Sequence, residues 1–440
     1  MKFIVFQILI LTLFFQSSYS QNMNLENCIE NAYNNRVELK KQENQQTYYQ
    51  NSYQYSRYEL LPSVNSRMDF NFTGKKSYDQ NEGGYRFKNN EHGQWNISTN
   101  LVLFNGFQTI NKIKQSKTLI ARNNTYTQSI KNNIKLEVIQ AYYSLLMAKE
   151  NIVITKQAIE VTNQQIAYIQ IAVEGGKTSE IDLLEVKAQL EKEKSYYISS
   201  IKELEIAQIK LKKSINYTDT NSIEIKSVFL ENSISKTINT DSIYFLAINQ
   251  LPEFKTATYD SLYWQYAIKQ IKAQYLPYLT GNASVATYYN RRAIDFSNIN
   301  STYKANNQLE NNLNHQVGLS LIIPIYSKHK TKIQQLEKEK QLQDVNLDKE
   351  QLYKDIYFEI EQLCKETQRQ QEKIKTIEKR LEYYTTIYSM RAEQYKQGVL
   401  SINDLLIADT NKKKTELNLS YEKYTLLYKL KIIDFYSGKI

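Results

Sequence analysis

Gly176-Lys177-Thr178-Ser179-Glu180-Ile181-Asp182-Leu183-Leu184 and Gly398-Val399-Leu400-Ser401-Ile402-Asn403-Asp404-Leu405-Leu406 are two versions of one motif. Each opens with a glycine, the residue that ends a helix at the left-handed C′ position. Ser-x-x-Asp then reads as the capping box of a following helix, with the acid in the positively polarised first turn. Both stretches therefore predict a helix that stops and reverses. Other markers recur in the same order. Ala32-Tyr33-Asn34-Asn35-Arg36-Val37-Glu38-Leu39 returns as Ala247-Ile248-Asn249-Gln250-Leu251-Pro252-Glu253-Phe254, and Leu61-Pro62-Ser63 returns as Leu276-Pro277-Tyr278. The offset is 215 at these markers (32 to 247) and 222 at the reversals (176 to 398), which places seven added residues after Pro277, in a loop. The chain reads as two copies of one unit, 21–217 and 241–440, joined by a seam at 218–240.

Each copy runs through the same sequence of patterns. A helix of about 35 residues ends at the Leu-Pro pair, which imposes an extended conformation. Period-two alternation follows, the mark of strands with one apolar and one polar face. Val64, Met68, Phe70 and Phe72 oppose Asn65, Arg67, Asp69, Asn71 and Thr73; Trp95, Ile97, Thr99, Leu101 and Leu103 oppose Asn96, Ser98 and Asn100. In the second copy Val317, Leu319, Leu321, Ile323 and Ile325 alternate with Gln316, Gly318 and Ser320, and the strand starting at Tyr278 has the weakest pattern. Hairpins are expected over about 63–105 and 278–327, with polar surface loops at 75–94 and 290–314. Beyond each hairpin comes a long helix, about 107–173 and 328–396, then a shorter one, about 179–216 and 402–436. Val138, Leu145, Ile152, Ile159, Ile166 and Val173 recur every seventh residue, with Ala141, Ala148, Thr155, Thr162 and Ile169 as companions. Ile360, Ile374, Leu381, Tyr388 and Tyr395, with Leu363, Ile377 and Tyr384, repeat that register. Heptads sustained over so many turns predict helices on the order of 100 Å long, more than any globular core requires.

Composition agrees. With 11 Gly and 4 Pro in 440 residues, the chain has few places to reverse sharply. Lys2, the apolar run Phe3 to Phe15 and Ser18-Tyr19-Ser20 read as a secretory signal cleaved before Gln21. No later segment approaches the roughly 20 apolar residues of a membrane-spanning helix, so any crossing of a bilayer is by strands. Cys28 and Cys364 read as lone thiols, and three unclustered histidines argue against a metal site. The net charge of +10 is spread over helical stretches where Lys alternates with Glu, a solvated face rather than a nucleic-acid footprint. His315 and His329 flank the fourth strand as strand-end groups, and Trp95 with Tyr288 and Tyr289 suits an interfacial aromatic belt. No nucleophile–base set, catalytic carboxylate pair, phosphate-binding loop or cofactor motif is visible, so no enzyme activity is expected.

Four strands cannot close a membrane barrel, since the smallest have about eight. An open edge in lipid leaves backbone groups unpaired at several kcal/mol each. The subunit must therefore oligomerise, and two, three or four copies would all close the sheet.

The pattern LxxCIxxAYNNRVELK, the Leu-Pro before a hairpin, Leu-Val-Leu-Phe-Asn-Gly at 101–106 and the doubled Gly-x-x-Ser-x-x-Asp-Leu-Leu together resemble the TolC-like outer-membrane efflux proteins. The resemblance covers nearly the whole mature chain. It implies a mainly α fold with a small β part: a homotrimer with a 12-stranded transmembrane barrel, four strands per chain, continued by a long periplasmic α-helical barrel. It implies the outer-membrane duct of a tripartite efflux or type I secretion system, exporting passively. Partners would be a periplasmic membrane-fusion adaptor, an inner-membrane pump or ABC transporter, and outer-membrane lipid. The seam and the C-terminal end would contribute to an equatorial belt. Gly176, Lys177, Thr178, Gly398, Val399, Leu400 and Ser401 would form the adaptor-docking tip, and Asp182, Glu185 and Asp404 the aperture. Three departures stand out: Ser327-Lys328 replaces the Asn105-Gly106 turn, Ile407 stands where the prototype has a second acid, and Leu400 where it has an arginine. The rival reading is a trimeric coiled-coil adhesin or stalk without a pore, which would share the signal and the heptads but not the hairpins.

Overall fold

A computed structural model of the chain describes residues 23–79, 83–218, 223–225, 238–295 and 298–440. The expected signal segment and most of the seam lie outside the described residues. The elements, in order, are α1 (Leu25–Asn35), α2 (Val37–Tyr58), β1 (Ser63–Asp79), β2 (Gly84–Phe104), α3 (Gln108–Glu174), α4 (Glu180–Ser214), α5 (Thr240–Gln250), α6 (Pro252–Ala273), β3 (Tyr278–Asn290), β4 (Ile294–Asp295), β5 (Asn298–Thr302), α7 (Ala305–Asn311), β6 (Asn314–Ile322), α8 (Lys330–Lys396) and α9 (Ile402–Tyr436).

The duplication is preserved to the residue. The corresponding helices have 11, 22, 67 and 35 residues in both copies. Their starts are offset by 215 before the hairpins (25 to 240) and by 222 after them (108 to 330). The added residues thus fall within the second hairpin, which alone carries β4, β5 and α7 between its main strands. The opening helix is not continuous in either copy. Arg36 (ψ 125°) and Leu251 (ψ 126°) take extended backbone and split it in two. At Leu251 the following Pro252 excludes the helical conformation. At Arg36 the break is tied down by the side chain, whose guanidinium donates to the Ser214 carbonyl at 3.1 Å and pairs with Glu137 at 2.9 Å.

Two structural units make up the chain. One comprises Met1–Gln42, Tyr126–Phe254 and Gln351–Ile440; the other comprises Glu43–Thr125 and Lys255–Glu350. The second holds an antiparallel sheet in the order β1-β2-β3-β6. Its register places Met68 opposite Trp95, Ile97 opposite Val285, and Ala283 opposite Val317. One face is consequently apolar and bare: Met68 is 77%, Phe72 73% and Val317 84% exposed. The other face is built from Asn65, Ser98, Ser284 and Gln316 in one row and Arg67, Asn96, Ala286 and Asn314 in the next. Trp95 and Tyr289 fall on the apolar face, but Tyr288 pairs with Gln94 on the polar one, which removes it from any lipid-facing belt.

The expected loop at 75–94 is almost wholly strand, since β1 continues to Asp79 and β2 begins at Gly84. An antiparallel ladder satisfies the backbone whatever the side chains, so polar composition does not stop it. The stretch 290–314 is likewise structured, with Gln308 of α7 buried and bonded to the backbone of Asn290 and Tyr303. At its other end β6 stops at Ile322, two residues before Pro324, so the alternation at Ile323 and Ile325 outlasts the strand.

The strand-to-helix turns show how one repeat tolerates what the other does not. Gly106 and Phe107 have φ of 64° and 66°; the equivalent Lys328 and His329 have 51° and 58°. A Cβ on Gly106 would lie 2.8 Å from the Ala273 carbonyl oxygen and 2.9 Å from Leu276 Cβ, so this turn needs glycine for space as well as for conformation.

In the other unit the heptad positions are the core. Val138, Leu145, Ile360 and Ile374 are completely buried, as is the companion Thr162. Met23 and Ile225 form a parallel bridge, and both join a cluster with Cys28, Ile139, Leu211 and Ile215. Ile440 packs against this cluster. Cys28 and Cys364 are free thiols, each buried in a different cluster, and burial pushes Cys28 up to about 12. Among the described residues no helix is long and apolar enough to cross a membrane.

Because a non-glycine residue in the left-handed region costs about 1–2 kcal/mol, Lys328→Gly should stabilise the protein by about 1 kcal/mol. Gly106→Ala should destabilise it by more than that, because the added methyl also overlaps backbone. Thermal unfolding of the two purified variants in detergent checks both signs.

Candidate functional site: the paired helix reversals

Both reversals are completed by local hydrogen bonds. At the end of α3, Gly176 N–H donates to Val173 O (2.9 Å) and Lys177 N–H to Ala172 O (2.8 Å). At the end of α8, Gly398 N–H donates to Tyr395 O (2.9 Å) and Val399 N–H to Gln394 O (3.1 Å). This is the paired 6→1 and 5→2 pattern of the Schellman motif, with Gly176 (φ 67°) and Gly398 (φ 74°) at its left-handed position. No atom lies within 4 Å of a Cβ built on either glycine, so the requirement is conformational only.

The following helices start differently in the two copies. Ser179 accepts from Asp182 N–H at 3.2 Å, and the Asp182 carboxylate accepts from Ser179 N–H at 3.3 Å, a full capping box reinforced by the Thr178 hydroxyl. At α9 the Ser401 hydroxyl accepts from Asp404 N–H at 3.2 Å and donates to the Asp404 carboxylate at 2.7 Å. Asp404 has a further neighbour. Arg391 donates to its backbone carbonyl at 2.9 Å and stands 3.9 Å from its carboxylate. Sequence reading passed over Arg391; its only signal is a position two turns before Gly398, the glycine that ends its helix.

A small core joins the two reversals. Ile169, Leu183, Val186, Ile402, Leu405 and Leu406 are buried together, with Tyr388 and Tyr395 packed against them. Gln165 of α3 donates to the Tyr388 hydroxyl at 3.3 Å. Burial raises the Tyr395 phenol above its ordinary value, and the Asp182 charge acts in the same direction. Tyr395 is thus a second group that heptad reading treated only as core. Outside this core the apex is bare: Gly176, Lys177, Gly398, Val399 and Ser401 are exposed, Val399 by 77%, while Thr178 and Leu400 are half-buried. Glu185 points along α4 into a cleft of about 470 Å³ that it shares with Asn403, Leu406 and Ile407. The Asp182 charge thus acts on Tyr395 of the other copy, Asp404 keeps Arg391 of its own copy as neighbour, and Glu185 lines the cleft beside Asn403 and Ile407. Among the described residues no cluster of three or more acids, histidines or cysteines could hold a metal ion.

A sheet with one apolar face and two edges unpaired among the described residues, in a chain whose long helices end in bare reversals, defines a subunit of a membrane-spanning conduit. A pore-free stalk has no use for such a sheet. The profile of the outer membrane efflux protein family matches residues 28–217 and 246–435, one match per copy, and the chain belongs to that family. No protein of curated function matches it by sequence. Among solved structures, CusC aligns with a TM-score of 0.79 at 13% identity, covering 96% of this chain and 95% of that one. The outer-membrane channel CmeC of Campylobacter jejuni aligns at 0.75 and 16% identity, covering 94% and 85%. VceC, an outer-membrane protein of Vibrio cholerae, aligns at 0.74 and 12%, covering 94% and 95%. The fold is that of the TolC-like channels: a trimeric β-barrel in the outer membrane with a periplasmic helical extension, in a family of channels rather than enzymes.

Loss of an N-cap side chain costs about 1 kcal/mol, and forcing alanine into the left-handed position costs about 1–2 kcal/mol. Ser179→Ala, Gly176→Ala and Gly398→Ala should therefore each lower hydrogen-exchange protection in the helix turns beside the substituted reversal while leaving the amides of 134–146 unchanged. Exchange mass spectrometry on the trimer reads this directly.

Proposed function

We propose that this outer-membrane efflux channel is the passive outer duct of a tripartite efflux or type I secretion assembly. A periplasmic membrane-fusion adaptor would couple it to an inner-membrane pump or ABC transporter. Gly176, Lys177, Thr178, Gly398, Val399, Leu400 and Ser401 are the docking tip in this reading. The observation that carries it is the bare apex, where each reversal is complete in its own hydrogen bonds and still presents Val399 and the backbone around Gly176 and Gly398 to solvent. A turn held by its own hydrogen bonds, with Val399 bare beside Lys177 and Ser401, suits reversible contact with a partner.

The aperture is assigned to Asp182, Glu185 and Asp404. Three copies of an acid around a narrow opening attract cations, and each acid is tied to its own reversal, Asp182 by Ser179 and Thr178 and Asp404 by Ser401 and Arg391, so that losing it frees the opening. The shared apolar core around Leu183 and Leu405 links the two reversals, and Arg391 offsets the charge of Asp404. Export energy comes from the inner-membrane partner, consistent with a chain that belongs to a channel family.

Two measurements test this. In planar bilayers, Asp182→Ala and Asp404→Ala trimers should conduct at least about tenfold more than wild type, as expected when an interaction of about 1.4 kcal/mol holding the closed state is lost; unchanged conductance would remove both residues from the gate. A photocrosslinker at position 399 should capture the adaptor in cells, and one at exposed Lys187 should not. Equal capture at both sites would rule out a docking tip.

A further inference from the structure

Lys413 occupies a buried position on α9 with more negative charge around it than it can balance. Its ammonium lies 2.9 Å from Glu193 on α4 and 2.7 Å from Asp409, one turn earlier on α9. It also donates to the Thr162 hydroxyl (3.3 Å) and the Ala158 carbonyl (3.5 Å) of α3. Glu193 in turn accepts from Thr162 at 2.6 Å and from Gln189 at 3.2 Å. The two carboxylate side chains are 5% and 4% exposed and the lysine 15%. Neighbouring charges do not enter the cluster by direct contact. Lys412 sits over the Tyr388 ring at 5.3 Å and 3.7 Å from Glu416, while Lys192, Tyr196 and Lys414 line the adjoining cleft of about 480 Å³. Three helices, two from the first copy and one from the second, therefore meet on one cation shared by two buried acids.

The duplication supplies an internal control. At the offset of 222, Lys413 corresponds to Glu191, Asp409 to Lys187, Glu193 to Thr415 and Thr162 to Tyr384. No member is kept, and Glu191 and Lys187 are exposed. Since α4 and α9 are both 35 residues long and begin with the same motif, the cluster is not something the helix pair needs in order to form. It exists once per chain, where α9 meets the α3–α4 hairpin, on the same helices that carry the aperture residues Asp182 and Asp404.

We propose that Lys413, Glu193 and Asp409 form an acid-strengthened latch that positions α9 against the α3–α4 hairpin and so holds the two reversals together; this rests on the reading of the reversals as the gate. With a proton on Asp409, one ammonium faces one carboxylate and the buried charges balance. With Asp409 ionised, two carboxylates share one ammonium and repel each other in a poorly hydrated site. Burial raises the Asp409 carboxyl above its ordinary value, opposed by Lys413 and aided by Glu193. For a carboxyl raised in the folded arrangement, the protonated form is the stabilised one. The latch is therefore tight at low pH and loosens as pH rises through the folded-state value of Asp409. The three residues are positioning groups, since they act on the aperture through the helix.

The test is the conductance of the purified full-length trimer in planar bilayers between roughly pH 5 and pH 8. Wild type should conduct about tenfold more at the upper end, equivalent to a shift of about 1.4 kcal/mol between the closed and open arrangements. Asp409→Asn, which mimics the protonated acid, should stay low and lose the pH dependence. Lys413→Met should be raised at every pH, and Lys413→Arg should restore wild-type behaviour. Because Lys413→Met leaves Glu193 buried without a cation and risks misfolding, deuterium exchange of the 402–412 amides at the upper pH gives a second reading. It should be slower in Asp409→Asn than in wild type. A flat wild-type profile, or an Asp409→Asn trimer with the wild-type slope, overturns the latch. If Asp182→Ala and Asp404→Ala still open the pore in that case, the gate reading survives; if they fail while Asp409→Asn abolishes the pH dependence, the latch stands and the gate residues are wrong.

Discussion

A backbone amide in hydrocarbon must have a partner, and this chain leaves two rows of them without one. The outer edges of β1 and β6 have no strand beside them within the four-stranded sheet. Its apolar face, with Met68, Phe72 and Val317 bare, suits contact with lipid. Those two facts together allow only closure by further copies of the same sheet. In the trimeric channels of its family, four strands from each subunit complete a barrel of twelve. Stability of the single sheet and assembly of the pore are thus one event rather than two.

The helices answer a different requirement. A 67-residue helix on the order of 100 Å long cannot hide an apolar face against a compact core. It must find partners of similar length throughout, and the heptad rows provide them. Buried polar residues in these rows are paired locally: Thr155 with Ser200, Thr162 with Glu193, Gln370 with Glu422. Such pairs contribute less to stability than to register, since a helix slipped by one turn would leave them unsatisfied. The bare reversals at the ends of the pairs hold themselves by local bonds, the Schellman pair at each helix end and the serine cap of the helix that follows.

Duplication produced two copies with identical helix lengths, yet the copies have diverged at their turns, their reversals and the packing of their helices. One strand-to-helix turn keeps Gly106 against the Ala273 carbonyl; the other carries Lys328 in the same left-handed conformation. One reversal has a reciprocal capping box, while the other has Ser401 donating to Asp404 and Arg391 close by. Only one pair of helices encloses the Glu193–Lys413–Asp409 cluster.

Periodicity carried most of the fold into plain view. The heptads at Val138 to Val173, the alternation at Val64 to Phe72 and the two Gly-x-x-Ser-x-x-Asp reversals are local patterns, governed by side-chain geometry along a helix or strand and readable without knowing what lies opposite. Where the backbone decided instead, those patterns misled. Hydrogen-bond ladders carried β1 and β2 through polar residues 75–94, and Arg36 broke a helix whose apolar spacing continued across it. The site was legible only as a turn. That Leu183 and Leu405 share one core, that Asp404 lies beside Arg391, and that Lys413 meets Glu193 could not be read from the chain. Each joins residues through packing of separate helices, and Lys412 and Lys413, adjacent in sequence, go to different partners for the same reason. The sequence by itself determined the elements, their duplication and the need for closure, because these are properties of neighbours along the chain. Which charges oppose one another was decided only by the tertiary structure, because electrostatic partners are chosen by distance in space.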